Sequence, residues 1–144
     1  MACLELFTPP VLIVRWQERC EAGDVVQIKA WTEAAYAKHP EGLIYMAIIP
    51  LDCAPPDGDA RAALRAGTEH ASKHCKTVHV VIEGQGLRRA LIRSISAGLL
   101  LATRKTSKGF HINETVEEAL LSAGLDDETR ARVLDEASRA NMLS

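Results

Sequence analysis

Leu43-Ile44-Tyr45-Met46-Ala47-Ile48-Ile49 is the stretch that decides the fold: seven consecutive apolar residues with no alternation. Side chains point to opposite faces along a strand, so a strand with one wet face shows a polar residue at every second position. An unbroken apolar run marks a strand covered on both faces, as in a parallel or mixed sheet flanked by helices. This run is therefore expected at the centre of a sheet. Thr77 to Glu83 (TVHVVIE) reads as a second buried strand.

Upstream, Leu4 to Phe7 and Val11 to Trp16 read as two adjacent strands separated by Thr8-Pro9-Pro10. Gly23-Asp24 then opens a helix, with Asp24 as its cap, Gln27 answering three residues later, and Val25, Ile28, Thr32 and Ala35 along one stripe. His39-Pro40-Glu41-Gly42 ends it. Asp57 or Asp59 caps a second helix through Ala60, Ala63, Leu64, Gly67 and Ala71. Gly84-Gln85-Gly86 turns into the third and longest helix, whose apolar face holds Leu87, Leu91, Ile95, Gly98 and Ala102, widened by Ile92, Leu99 and Leu100. A short strand follows at Phe110 to Ile112. Thr115 and Glu118 form a capping box for a helix ending near Ala123-Gly124, and Asp126 or Asp127 caps a last helix reaching about Asn141. Strands separated by single helices imply right-handed crossovers. The expected fold is α/β: a four- to five-stranded mixed, mostly parallel sheet flanked by helices over residues 1–124, with an extra C-terminal helix over 125–144 packed on or near it.

At 144 residues and 47% hydrophobic content, the chain can bury roughly two-thirds of its unfolded surface, which excludes a disordered tail. The formal charge of −2 and 4% aromatics argue against nucleic-acid binding. That near-neutrality conceals a partition, however. Residues 84–113 carry six bases (Arg88, Arg89, Arg93, Arg104, Lys105, Lys108) and no acid, whereas 114–144 carry eight acids and three bases. Cys3, Cys20, Cys53 and Cys75 are scattered, with no CxxC pair, and the N-terminus lacks the basic region of a secretory signal. Ala90 to Ala102 contains Arg93, Ser94 and Ser96 and is too short to span a bilayer. A reduced, cytoplasmic protein is expected.

The element order resembles the STAS fold of anti-sigma-factor antagonists and sulfate-transporter tails, and more closely its SpoIIAA-like branch. Phe110-His-Ile-Asn-Glu-Thr-Val-Glu-Glu-Ala-Leu120 is similar to that family's closing strand and helix, and Leu43 to Ile49 with its following loop and helix is similar to its central strand and switch helix. The resemblance covers roughly residues 2–124 and is one of topology and hydrophobic pattern. It implies a non-enzymatic, bacterial regulatory module that binds a protein partner, such as a kinase or an anti-sigma factor, with no cofactor. In the family a Ser at the start of the second helix is phosphorylated, and the added charge drives release. Here no Ser or Thr lies between Glu33 and Gly67, so that switch does not carry over. What the resemblance leaves is a partner surface around Asp52, Asp57, Asp59, Arg61, Leu64 and Arg65, with Asp57 and Asp59 either a fixed negative charge or simply helix caps.

Other constellations are weaker. His70 and His74 stand at i and i+4 on a helix beside Glu69, Cys75 and His79, where zinc would find two ligands. Cys75 at the helix end and His79 in the next strand need not converge with them, and histidines near a helix C-terminus are favoured by its dipole alone. No metal is assigned. Gly84, Gly86, Arg88, Arg89 and Arg93 form a strand-to-helix turn able to hold an anion, a nucleotide phosphate or a lipid headgroup. Arg89 stands where a dinucleotide fingerprint needs its third glycine, which excludes a Rossmann site. No strand-Ser-helix elbow exists, and Asp52 beside Cys53 disfavours a thiolate. The wide apolar face of the third helix fits either complete burial or a homodimer seam. The acidic C-terminal segment either lies over that basic helix, in cis or from a second subunit, or stays free and leaves both surfaces for partners.

Overall fold

In the computed structural model, residues 3–50, 53–54, 56–84, 86, 90, 94 and 109–143 are described. Five strands, β1 (Cys3–Thr8), β2 (Val11–Trp16), β3 (Ile44–Ile49), β4 (Thr77–Ile82) and β5 (Phe110–Asn113), form one sheet in the order β1-β2-β3-β4-β5. β1 and β2 pair antiparallel across the turn at Pro9-Pro10, whose peptide bond is cis, and each later strand pairs parallel with its predecessor. The protein is thus α/β with a mixed, mostly parallel sheet, and the run at 43–49 occupies its middle. Tyr45 lies between Leu12 and Val78 in register, and Met46 between Ile13 and His79.

Parallel neighbours need crossovers, and right-handed crossovers that always advance in one direction place their helices on one face. Accordingly α1 (Ala22–Lys38) and α2 (Gly58–His74) pack together on the face formed by Leu12, Val14, Trp16, Tyr45, Ala47 and Val78. Gly67 permits their close approach: a Cβ there would stand 2.8 Å from Val25 Cγ1. The opposite face, with Val11, Ile13, Ile44, Met46, Ile48 and Val81, is covered by α3 (Val116–Ser122) and α4 (Asp127–Arg139). Both faces of β3 are therefore dry, which explains its unbroken apolar sequence.

The helix ends follow local chemistry. Asp57 caps α2 by accepting from Ala60 N–H at 2.9 Å, Thr115 caps α3 by accepting from Glu118 N–H at 3.1 Å, and Asp126 caps α4 by accepting from Thr129 N–H at 2.8 Å. Backbone and hydroxyl donation from Thr129 holds the Asp126 carboxyl below the usual range. α1 differs from expectation. Its cap is Glu21, and Asp24 occupies the third helical position, where its carboxylate accepts from Glu21 N–H at 3.0 Å. The start moves three residues upstream because an Asp serves as well at the answering position of a capping box as at the cap.

α4 packs in cis. Val133, Ala137 and the following Met142 are buried against the sheet, while Arg132 donates to Thr8 Oγ1 at 2.9 Å and to the Pro9 carbonyl. Arg15, on β2, ties the two ends of the chain together. It donates to the Met142 carbonyl at 3.1 Å and pairs with Glu83, at the end of β4, at 2.8 Å, with both side chains largely buried. The third helix expected after Gly86, with its proposed homodimer seam, lies outside the described residues except at Ala90 and Ser94.

Candidate functional site

The N-terminal end of α2 presents Asp57, Asp59, Arg61 and Arg65 to solvent, while Leu64 is half-buried against the core. Two carboxylates at the positive end of the helix are locally stabilised, and Asp57 is committed to capping. Asp59 is the carboxylate left to face a partner. Arg61 and Arg65, four residues apart on one side of the helix, make no ion pair among the described residues. The result is an exposed ridge that is acidic at its tip and basic one turn along. Asp52 lies outside the described residues.

His70 and His74 lie side by side, with ring centroids 4.3 Å apart, but the rest of the expected set does not join them. His70 pairs with Glu33 of α1 at 3.1 Å, and His74 Nδ1 donates to the His70 carbonyl at 2.8 Å while its ring meets Tyr36 edge-on. Cys75 is buried at the end of α2 on the same side of the sheet, but His79 faces the opposite side, as its register beside Met46 requires. Among the described residues, no three His, Cys, Asp or Glu side chains gather as a metal needs. His79 instead anchors a buried polar chain. Nδ1–H donates to Asn113 Oδ1 at 3.1 Å, the Thr77 hydroxyl donates to Nε2 at 3.0 Å, and Asn113 Nδ2–H donates to Ser122 Oγ at 3.3 Å. Burial pulls the His79 imidazole below its usual range, the neighbouring His111 adds to this, and the Asn113 bond opposes it. The ring is neutral and serves the core.

The cysteines are all free thiols and all buried. Burial, followed by the nearby Asp24 carboxylate, pushes Cys3 up to about 11 and Cys20 up to about 12, and burial alone takes Cys75 to about 12. These three remain protonated at neutral pH and make poor nucleophiles. The Cys53 thiol donates to the Glu18 carbonyl at 3.0 Å.

Between the sheet and the α1/α2 layer lies a cavity of about 120 Å³. Trp16, Tyr45, Ile49 and Phe110 contribute walls from the sheet, Ile28 from α1, and Leu64 from α2. No charged residue lines it among the described residues. Leu64 belongs to this wall and also sits beneath the exposed ridge, so one helix roofs the cavity and carries the candidate partner surface.

No protein-family model matches the chain, and no curated protein matches it.

Of the turn expected to hold an anion, Gly84 and Gly86 are described and exposed, both at positive φ (83° and 110°), conformations that glycine alone adopts freely. The Gly86 carbonyl accepts from Ala90 N–H at 3.1 Å. Arg88, Arg89 and Arg93 lie outside the described residues. Sequence reasoning passed over Trp16 and Tyr45, because a single aromatic in an apolar strand looks like core. The available signal was at Tyr45, whose hydroxyl stands in a run of residues otherwise lacking a polar side chain.

Proposed function

We propose that the protein is a non-enzymatic regulatory module of STAS-like type, SpoIIAA-like in character, that works by binding another protein through the α2 ridge. The reading rests on one observation above others. The strand order β1-β2-β3-β4-β5, with its single antiparallel pair at the start, supports it: on the STAS-like reading α2 would correspond to the family's switch helix, and its N-terminal end is exposed. Asp57 and Asp59 supply constant negative charge where the family carries a phosphorylatable Ser, so partner release would be controlled by other means. A kinase or an anti-sigma factor is the kind of partner this implies, in a cytoplasmic setting. Among the described residues no helix is long and apolar enough to cross a membrane.

The ridge gives a direct test. The combined variant Asp59→Lys, Arg61→Glu and Arg65→Glu reverses its exposed charges without touching the Asp57 cap or the core. Affinity purification from the native host should recover a partner with the wild-type chain and lose it with this variant, at unchanged circular dichroism. Retention of every partner by the folded variant would exclude the ridge.

A further inference from the structure

The cavity beneath α2 is bordered by two aromatic side chains whose polar groups have no hydrogen-bond partner among the described residues. Trp16 is 4% exposed and Tyr45 8%, and both line the cavity. Neither the Trp16 indole N–H nor the Tyr45 hydroxyl makes a hydrogen bond among the described residues. The side-chain polar atom both unpartnered and wholly inaccessible among those residues is Ser72 Oγ. The Trp16 and Tyr45 polar atoms therefore keep some accessible surface, and the cavity is one surface that both side chains border. Other polar groups of the wall are occupied: the Thr68 hydroxyl donates to the Leu64 carbonyl at 2.8 Å, and the Cys53 thiol to the Glu18 carbonyl. A donor without an acceptor carries a penalty that a suitable guest would relieve.

We propose that this cavity binds a small neutral organic molecule with a compact apolar body, roughly the size of benzene, carrying one oxygen that accepts a hydrogen bond from Trp16 or Tyr45. Size follows from the volume: an engineered apolar cavity of roughly 150 Å³ stays dry when empty and takes up benzene. Neutrality follows from the wall, since an ion brought among these apolar side chains would lose its hydration with no counter-charge in return among the described residues. An acceptor is required because an indole N–H can only donate. The site is separate from the α2 ridge, and its occupancy can be measured without any protein partner.

The test uses the full chain carrying Trp31→Phe, which leaves Trp16 as the sole tryptophan. Cyclohexanol, cyclohexane and hexanoate are titrated at up to about millimolar concentration while the Trp16 indole N–H resonance is followed by NMR. Cyclohexanol should shift that resonance saturably. Cyclohexane should bind about tenfold more weakly, and hexanoate should not bind. Tyr45→Phe, which removes a hydroxyl without a hydrogen bond among the described residues, identifies the donor: a reduced preference for cyclohexanol over cyclohexane assigns the bond to Tyr45, an unchanged one to Trp16. Ala47→Leu, which fills the cavity, should abolish the response. The proposal fails if cyclohexanol gives no saturable shift, if hexanoate binds as well as cyclohexanol, or if cyclohexane binds as tightly as cyclohexanol.

Discussion

Met142 is 1% exposed and lies with Val133 and Ala137, both fully buried, against the sheet face carrying Val11, Ile13 and Met46. Replacing it by Ala removes most of a side chain from a site whose walls are strands and cannot easily collapse. Such truncations cost about 2–5 kcal/mol. The backbone bonds made at this residue, its N–H to the Ala137 carbonyl at 2.9 Å and its carbonyl from Arg15, survive the change, so the loss is one of packing. At about 0.05–0.15 kcal/mol per residue a chain of this length has a total stability of about 7–20 kcal/mol, of which the loss is a substantial fraction. With Tm moving by about 3–4 °C per kcal/mol at this size, Met142→Ala should melt about 6–20 °C below wild type. Urea unfolding should show a lower midpoint at unchanged m-value. Removing residues 126–144 deletes all three buried side chains and should leave a chain that binds a hydrophobic dye and lacks a cooperative transition. A Met142→Ala protein melting within about 2 °C of wild type would refute the placement of this segment in the core.

Gly109 has φ +90° and opens β5, where an added Cβ would lie 3.0 Å from the Lys76 carbonyl. Gly109→Ala should cost about 1–3 kcal/mol, read as a lowered Tm, and an unchanged Tm would contradict the strain. Thr115→Ala removes the α3 cap and should cost about 1 kcal/mol by urea denaturation. His79 has its folded pKa lowered, so the unfolded chain binds the proton more tightly. Its contribution to stability is complete above the unfolded value near 6.5 and is lost as pH falls through the lower folded value. Unfolding free energy should therefore decline from pH 7 toward pH 5, by at most about 1.4 kcal/mol per pH unit for this one group, and His79→Gln should remove that share of the slope. An identical slope in the variant would show that His79 titrates as freely in the fold as outside it.

Much of the architecture was legible because it rests on period and local chemistry. The unbroken run at 43–49 announced two dry faces, and the caps at Asp57, Thr115 and Asp126 stood at the residues whose side chains accept from the helix. The start of α1 was misread by three residues because Asp24 is suited to either end of a capping box, and only the fold shows that Glu21 precedes it. The placement of α4 was illegible for a different reason. Charge balance drew attention to its acids, whereas its position is fixed by Val133, Ala137 and Met142 and by two arginines reaching across more than a hundred residues of chain. The same holds for His79: its spacing from His74 suggested company, but strand register turned it to the other side of the sheet. The cavity depends on Trp16, Tyr45 and Leu64 meeting from β2, β3 and α2, and no local pattern carries that meeting.

A sheet whose strands are added strictly in sequence order can assemble as the chain emerges from the ribosome, each new strand finding its neighbour already laid down. The face formed by Val11, Ile13 and Met46 breaks that convenience, since its cover, α3 and α4, follows all five strands in the chain. Until synthesis reaches Met142, a sticky sheet surface stays open to chaperones and proteases. Arg15, made early, meets the Met142 carbonyl only after all five strands and both helices of that face have been made, so this contact marks the closing of the sheet.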